Sequence, residues 1–85
     1  MKDVEEFYYV YILRSLTNEN RTYIGLTKNL RQRLSDHNRG KSEYTKKFIP
    51  WKIQSYIAFE CLNKAREFEQ YLKKGSGRAF LNRHF

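Results

Sequence analysis

One cysteine, one proline and the lack of any long apolar run remove whole classes of protein before any motif is read. The lone thiol, Cys61, has no internal disulfide partner, and with no second thiol or nearby His pair it makes neither a staple nor a metal knuckle. It is expected to be a small buried hydrophobe. No stretch approaches the ~20 apolar residues that cross a bilayer, and the N-terminal Met1-Lys2-Asp3-Val4-Glu5-Glu6 is acidic, without the apolar centre of a signal peptide. A cytoplasmic protein without membrane contact is the expectation. Repeats, low-complexity tracts and linkers are also missing, and 85 residues suit one domain over positions 1–85 with no room for a second. A chain this short buries only about 60–65% of the surface it exposes when unfolded, so its core must be economical.

Acidic side chains are scarce too. Nine Asp and Glu face 17 Lys and Arg, a net charge of +8, which points to a polyanionic partner more readily than to a neutral metabolite. The excess is uneven. Residues 28–52 hold Lys28, Arg31, Arg33, Arg39, Lys41, Lys46, Lys47 and Lys52 against only Asp36 and Glu43, whereas residues 1–20 are net negative. Lys28, Arg31, Arg39, Lys41, Lys46 and Lys47 are therefore candidate nucleic-acid contacts. Tyr44 joins them, because an aromatic interleaved with Lys can add stacking to charge on single strands or frayed ends. The bland alternative for all of them is a solvated face.

Bulky apolar material is plentiful: seven Tyr and six Phe help bring aromatics to 16% of the chain, enough for one core. Phe7-Tyr8-Tyr9-Val10-Tyr11-Ile12-Leu13 has the aromatic and β-branched content of a largely buried strand. Ser15 to Asn20 supplies turn chemistry, and Arg21-Thr22-Tyr23-Ile24-Gly25-Leu26 reads as a returning strand. Asn29 with Gln32 three places on resembles a capping box, Leu26, Leu30 and Leu34 recur at helical spacing, and a helix is expected over about 30–38, ended by Gly40. Lys41 to Lys52 is then a basic loop, in which Pro50 forbids ordinary helix continuation. Ile53 to Phe59 reads as a third strand. A second helix from Asn63 carries Ala65, Phe68 and Leu72 on one stripe and stops at Gly75. Ser76 would cap a short last helix whose Ala79, Phe80 and Leu81 dock on the sheet while Arg78, Arg83 and His84 stay outside. The expected fold is α/β of the α+β kind: a small three-stranded antiparallel sheet flanked by helices, in the order β-β-α-β-α-α.

Tyr9-Val10-Tyr11 on the first strand, Tyr23-Ile24-Gly25 on the second and Arg33 with His37 on the first helix together resemble the GIY-YIG endonuclease family. The pairs fall where that family has its two motif halves and its Arg-x-x-x-His. Glu69 matches the family's metal-binding glutamate on the helix after the third strand, and Gly75-Ser76-Gly77-Arg78 is similar to the end of the short stand-alone bacterial branch. Larger relatives include homing endonucleases and the incision subunit of nucleotide-excision repair. Two departures stand out. Tyr9 replaces the first motif glycine, and Asn82 lies in a segment with no match to the late asparagine that some relatives place near the scissile phosphate.

The resemblance implies phosphodiester hydrolysis with Tyr11, Tyr23, Arg33, His37 and Glu69 as catalytic residues. Glu69 would hold one Mg²⁺ or Mn²⁺, a hard cation that completes its shell with water and substrate phosphate. Arg33 and His37, four apart, share a helix face, and a planar guanidinium suits phosphate oxygens in a way that Lys does not. Tyr11 is the preferred proton relay from the attacking water, with His37 the alternative; a phenol of ordinary pKa near 10 needs Arg33 or the metal to favour its anion. The dull readings are core filling for Tyr11, a solvated face for Arg33 and His37, and an i,i+4 partner of Lys73 for Glu69. Three functions compete: an endonuclease cutting DNA at branched or damaged sites, a module that binds RNA or single-stranded DNA without cutting, and an idle domain recruited by a partner. A binder has no need of Glu69, which favours the first. A chain too short for a separate DNA-binding domain would recognise structure, cut indiscriminately or take its specificity from a protein partner.

Overall fold

The aromatic run at the start of the chain is buried on both faces, and this makes it the centre of the sheet. In a computed structural model that describes residues 6–84, strand β1 (Tyr8–Ser15) lies between β2 (Thr22–Thr27) and β3 (Trp51–Phe59), antiparallel to each. Val10, Tyr11, Ile12 and Leu13 are each at most 2% exposed. A strand covered on both sides needs apolar residues at every position rather than at alternate ones, as this run provides.

The two faces carry different cores. Val10, Ile12 and Ile24 pack with Ala65, Leu72 and Leu81 from helices α2 (Leu62–Lys73) and α3 (Gly75–His84). Tyr11, Leu13 and Trp51 pack on the other face with Leu30 and Leu34 of α1 (Leu30–Asn38) and with Phe48 of a short 3-10 helix, Thr45–Phe48. The fold is thus α+β with the expected order β-β-α-β-α-α.

Local chemistry explains the joints. Asn29 caps α1 by accepting from the Gln32 amide, but the Gln32 side chain donates to Asp36 instead of returning to the cap, so only half of a capping box forms. Gly40, at φ +78°, ends α1 where an L side chain would be strained. Buried Ser15 organises the first turn: its hydroxyl donates to the Phe48 carbonyl and accepts from the amides of Thr17 and Asn18. The amide side chain of Asn38 imitates a neighbouring strand, accepting from Trp51 N at 2.6 Å and donating to Trp51 O at 3.1 Å, which ties the end of α1 to the start of β3.

Several expectations are corrected. Cys61 is exposed, because it precedes α2 as its first flanking residue and not on the apolar stripe. Leu26 does not continue the Leu30–Leu34 stripe; it sits on β2 and faces the opposite core. β3 begins at Trp51, two residues before the expected start. Glycine is not the stop of α2. The chain turns at Lys74, in extended conformation, and Gly75 and Ser76 already belong to α3. Gly77 is the glycine that matters there, since a Cβ would stand 1.6 Å from the Tyr71 carbonyl oxygen. That close approach lays α3 against the end of α2. Ala79 is exposed while Leu81 is buried, and Arg78, Arg83 and His84 are exposed as expected.

Candidate active site

Antiparallel register sets Tyr11 opposite Gly25, and the phenol ring lies across the space a side chain would fill. A Cβ at position 25 would be 2.4 Å from the Tyr11 hydroxyl and 2.5 Å from Cζ. The glycine is there to let the hydroxyl cross toward β2. On the far side, His37 projects from the last turn of α1, fully buried, with Nε2 3.0 Å from the Tyr11 hydroxyl and Nδ1 2.7 Å from Thr45 Oγ1. Thr45 is itself fully buried, and its carbonyl accepts from Trp51 Nε1 at 2.7 Å. The phenol, the imidazole and the threonine hydroxyl therefore form one buried chain, braced by the indole.

Arg33, one turn before His37, is close enough to the Tyr11 oxygen to favour its anion, while His37 Nε2 holds the hydrogen bond to it. Burial nevertheless dominates and pushes the Tyr11 pKa up to about 12, against the lowering by Arg33 and with further raising from the charges of Tyr23 and Glu69. The expectation that Arg33 would bring out the phenolate is met in sign and overruled in size. Burial likewise pushes the His37 pKa below its ordinary value, aided by the Arg33 charge and opposed by Asp36. Phenol and imidazole are both neutral at pH 7.

Tyr23 is less buried than Tyr11. Half-buried, it sits with its ring centroid 4.9 Å from His37 and 6.3 Å from Tyr11, and its oxygen also feels Arg33. Arg33 is 38% exposed and 3.8 Å from Asp36. Glu69 stands on α2, its side chain 14% exposed and 3.2 Å from Lys73, so it is an i,i+4 partner of Lys73; its charge also reaches Tyr11. Among the described residues no group of three or more His, Cys, Asp and Glu side chains gathers.

The basic candidates divide. Lys28 lies over the ring of Tyr8, which packs against the α2–α3 core, and pairs with Glu6 at 3.8 Å. Lys41 is 3.6 Å from Asp36, Lys46 is 3.1 Å from Glu43, and Arg31, Arg39 and Lys47 are exposed. Tyr44 is brought directly to the site, its ring stacked on Tyr23 with centroids 6.2 Å apart. Sequence reasoning missed the link from Thr45 to His37 and the brace from Asn38 to Trp51. No period or motif connects those pairs, and only the path of the basic loop brings them together.

The GIY-YIG catalytic domain model matches residues 7–82. The chain is 36% identical over 67 residues to the UPF0213 protein YsiG of Lactococcus lactis, spanning 78% of this chain and 62% of that one. It is 37% identical over 67 residues to a UPF0213 protein of Clostridium perfringens, covering 78% of this chain and 70% of the relative. A third relative is the structure-specific endonuclease subunit SLX1 of Debaryomyces hansenii, 39% identical over 75 residues, with 80% of this chain matched to 22% of that protein. No solved structure gave a significant match. Among the described residues, no helix is long and apolar enough to cross a membrane.

Proposed function

Because the chain belongs to the GIY-YIG catalytic domain family, we propose that it is a metal-dependent endonuclease that hydrolyses nucleic-acid phosphodiester bonds, with DNA as its substrate and the cytoplasm as its setting. The observation that carries the reading is the meeting of Tyr11, Tyr23, Arg33 and His37, drawn from two strands and a helix, with the Glu69 charge in reach. Core packing alone asks for neither a guanidinium beside a buried phenol nor a carboxylate whose charge reaches it.

The donor set fits a hard cation. Glu69 is a mostly shielded oxygen donor that belongs, among the described residues, to no cluster of three or more His, Cys, Asp and Glu side chains, which suits Mg²⁺ or Mn²⁺ held largely through water and substrate phosphate. Glu69 would hold that ion, and the ion would supply charge at the phosphoryl oxygens. Arg33, part exposed and always charged, would brace the charged oxygens of the pentacoordinate phosphorus.

Tyr11 and His37 lie below the surface, so neither meets the attacking water directly. Tyr23 is the phenol that does, and the buried pair positions it. In the tautomer where the Thr45 hydroxyl donates to Nδ1, the proton of the neutral imidazole sits on Nε2 and donates to the Tyr11 oxygen; in the other, Tyr11 donates to Nε2 and Nδ1 to Thr45. The first tautomer would turn the Tyr11 proton outward, toward the Tyr23–Arg33 edge. The Debaryomyces hansenii relative is named a structure-specific endonuclease subunit; the word subunit supports a protein partner as the source of specificity, and structure-specific supports recognition of nucleic-acid structure in place of sequence.

A second reading, a nucleic-acid-binding domain without activity, is favoured by the pairing of Glu69 with Lys73 at 3.2 Å, which gives that carboxylate a purely structural use. Nicking of plasmid and branched DNA with Mg²⁺ or Mn²⁺ separates the two. Cleavage should fall at least about 100-fold in Glu69→Ala and in Tyr23→Phe. Intact binding without any cleavage by the wild-type chain would establish the second reading instead.

A further inference from the structure

We propose that the exposed ring of Tyr44 is a stacking site for an unpaired base beside the phosphate at the Tyr23–Arg33 edge. The substrate class is then nucleic acid with an unpaired nucleotide next to the bond, not continuous duplex. The position of that phosphate rests on the hydrolase reading; the stacking does not.

Tyr44 is 43% exposed, just ahead of the 3-10 helix, in a small chain that buries most of its other rings at least in part. It is exposed without being loose. Its ring stacks on Tyr23 at 6.2 Å with planes 30° apart, and leans on Phe48 at 5.7 Å. Tyr23 in turn lies 4.9 Å from His37, so the ladder of rings leads from the buried pair out to solvent. A pre-set aromatic surface costs little entropy when a base stacks on it.

The surroundings select a polyanion. Lys46 and Lys47 follow in the same segment, Lys41 precedes it, and Arg21 lies 4.9 Å above the Phe48 ring that supports Tyr44. Glu43 is the single acidic residue between Lys41 and Lys47, and it is engaged by Lys46 at 3.1 Å. An aromatic ring flanked by cations suits a base with its phosphates, and an aromatic face is sequence-tolerant because every base has a π-face. In a continuous duplex those faces are already stacked on their neighbours. Only an unpaired nucleotide has one to offer.

The test uses a Glu69→Gln chain, which removes cleavage, and a single-stranded oligonucleotide carrying one 2-aminopurine. Binding should quench the fluorescence. Adding Tyr44→Leu should abolish the quench and weaken binding about tenfold, while adding Tyr44→Phe should preserve both and show that the loop still folds. A fully paired duplex of the same sequence should bind more weakly than the single strand. Equal affinity for the two forms, or a Tyr44→Leu chain that quenches and binds like its parent, overturns the proposal. A parallel cleavage assay with the wild-type chain keeps the readings apart. Failure to cut either form sinks the hydrolase reading while the fluorescence arm still decides the stacking.

Discussion

A single hydroxyl, that of Thr45, holds one nitrogen of a fully buried ring whose other nitrogen holds Tyr11. Thr45→Val keeps the shape and strands Nδ1 without a partner, which costs about 1–3 kcal/mol of stability. It also frees the imidazole proton to sit on either nitrogen, so cleavage should fall with KM little changed. Thr45→Ser should restore both, and urea unfolding with ¹⁵N chemical shifts of His37 will check it. Gly25→Ala acts on the same pair from the other side. A methyl group 2.4 Å from the hydroxyl has to push aside a ring that is itself packed against His37, so a loss of about 1–3 kcal/mol is expected. Tyr11→Phe should not rescue it, since Cζ is also only 2.5 Å away; thermal unfolding of the single and double variants decides. The letters of this arrangement were legible in the sequence, its reasons less so. Tyr11, Tyr23, Gly25, Arg33 and His37 stand at motif spacing. The burial that pushes Tyr11 up to about 12 comes from residues with no sequence signal pointing at it.

Elements were legible where one residue type has one physical use. Asn29 before Leu30 caps α1, Gly40 ends it at positive φ, and the doubly buried β1 could be read from its unbroken apolar run. Reading failed where a glycine has two uses. Gly75 was expected as a helix stop, but the break falls at Lys74, and of the two glycines that follow it is Gly77 that serves close approach. Gly77→Ala would drive its methyl into the Tyr71 carbonyl at 1.6 Å and the Leu72 Cα at 2.8 Å. Backbone, unlike a side chain, cannot rotate away, so α3 must lift off α2 and partly uncover Leu81. The expected loss is about 1–3 kcal/mol, with faster proteolysis within residues 75–84. Gly75→Ala, with nothing within 4 Å of its Cβ, should be tolerated. Equal sensitivity at the two positions would show that the close approach is not what holds the helices together.

At the scale of the whole molecule, neutral groups sealed beneath a strongly basic surface set the pH range of stability. Burial lowers the His37 pKa, so below its ordinary value near 6.5 the unfolded chain takes up a proton that the folded chain resists. The stability from keeping this ring neutral is therefore full above that value and lost as pH falls toward the folded pKa. Tyr11 works at the other end. Its pKa rises from 10.0 to about 12, so its contribution is full below pH 10 and lost as pH climbs toward 12, where the unfolded chain ionises first. Urea unfolding across pH should give a plateau between these limits. Tyr11→Phe should flatten the alkaline limb and leave the acid limb standing, because the two limbs belong to different members of one hydrogen-bonded pair. An unchanged alkaline limb in that variant would mean that the general titration of Lys and of the other tyrosines, rather than the sealed phenol, sets the upper limit.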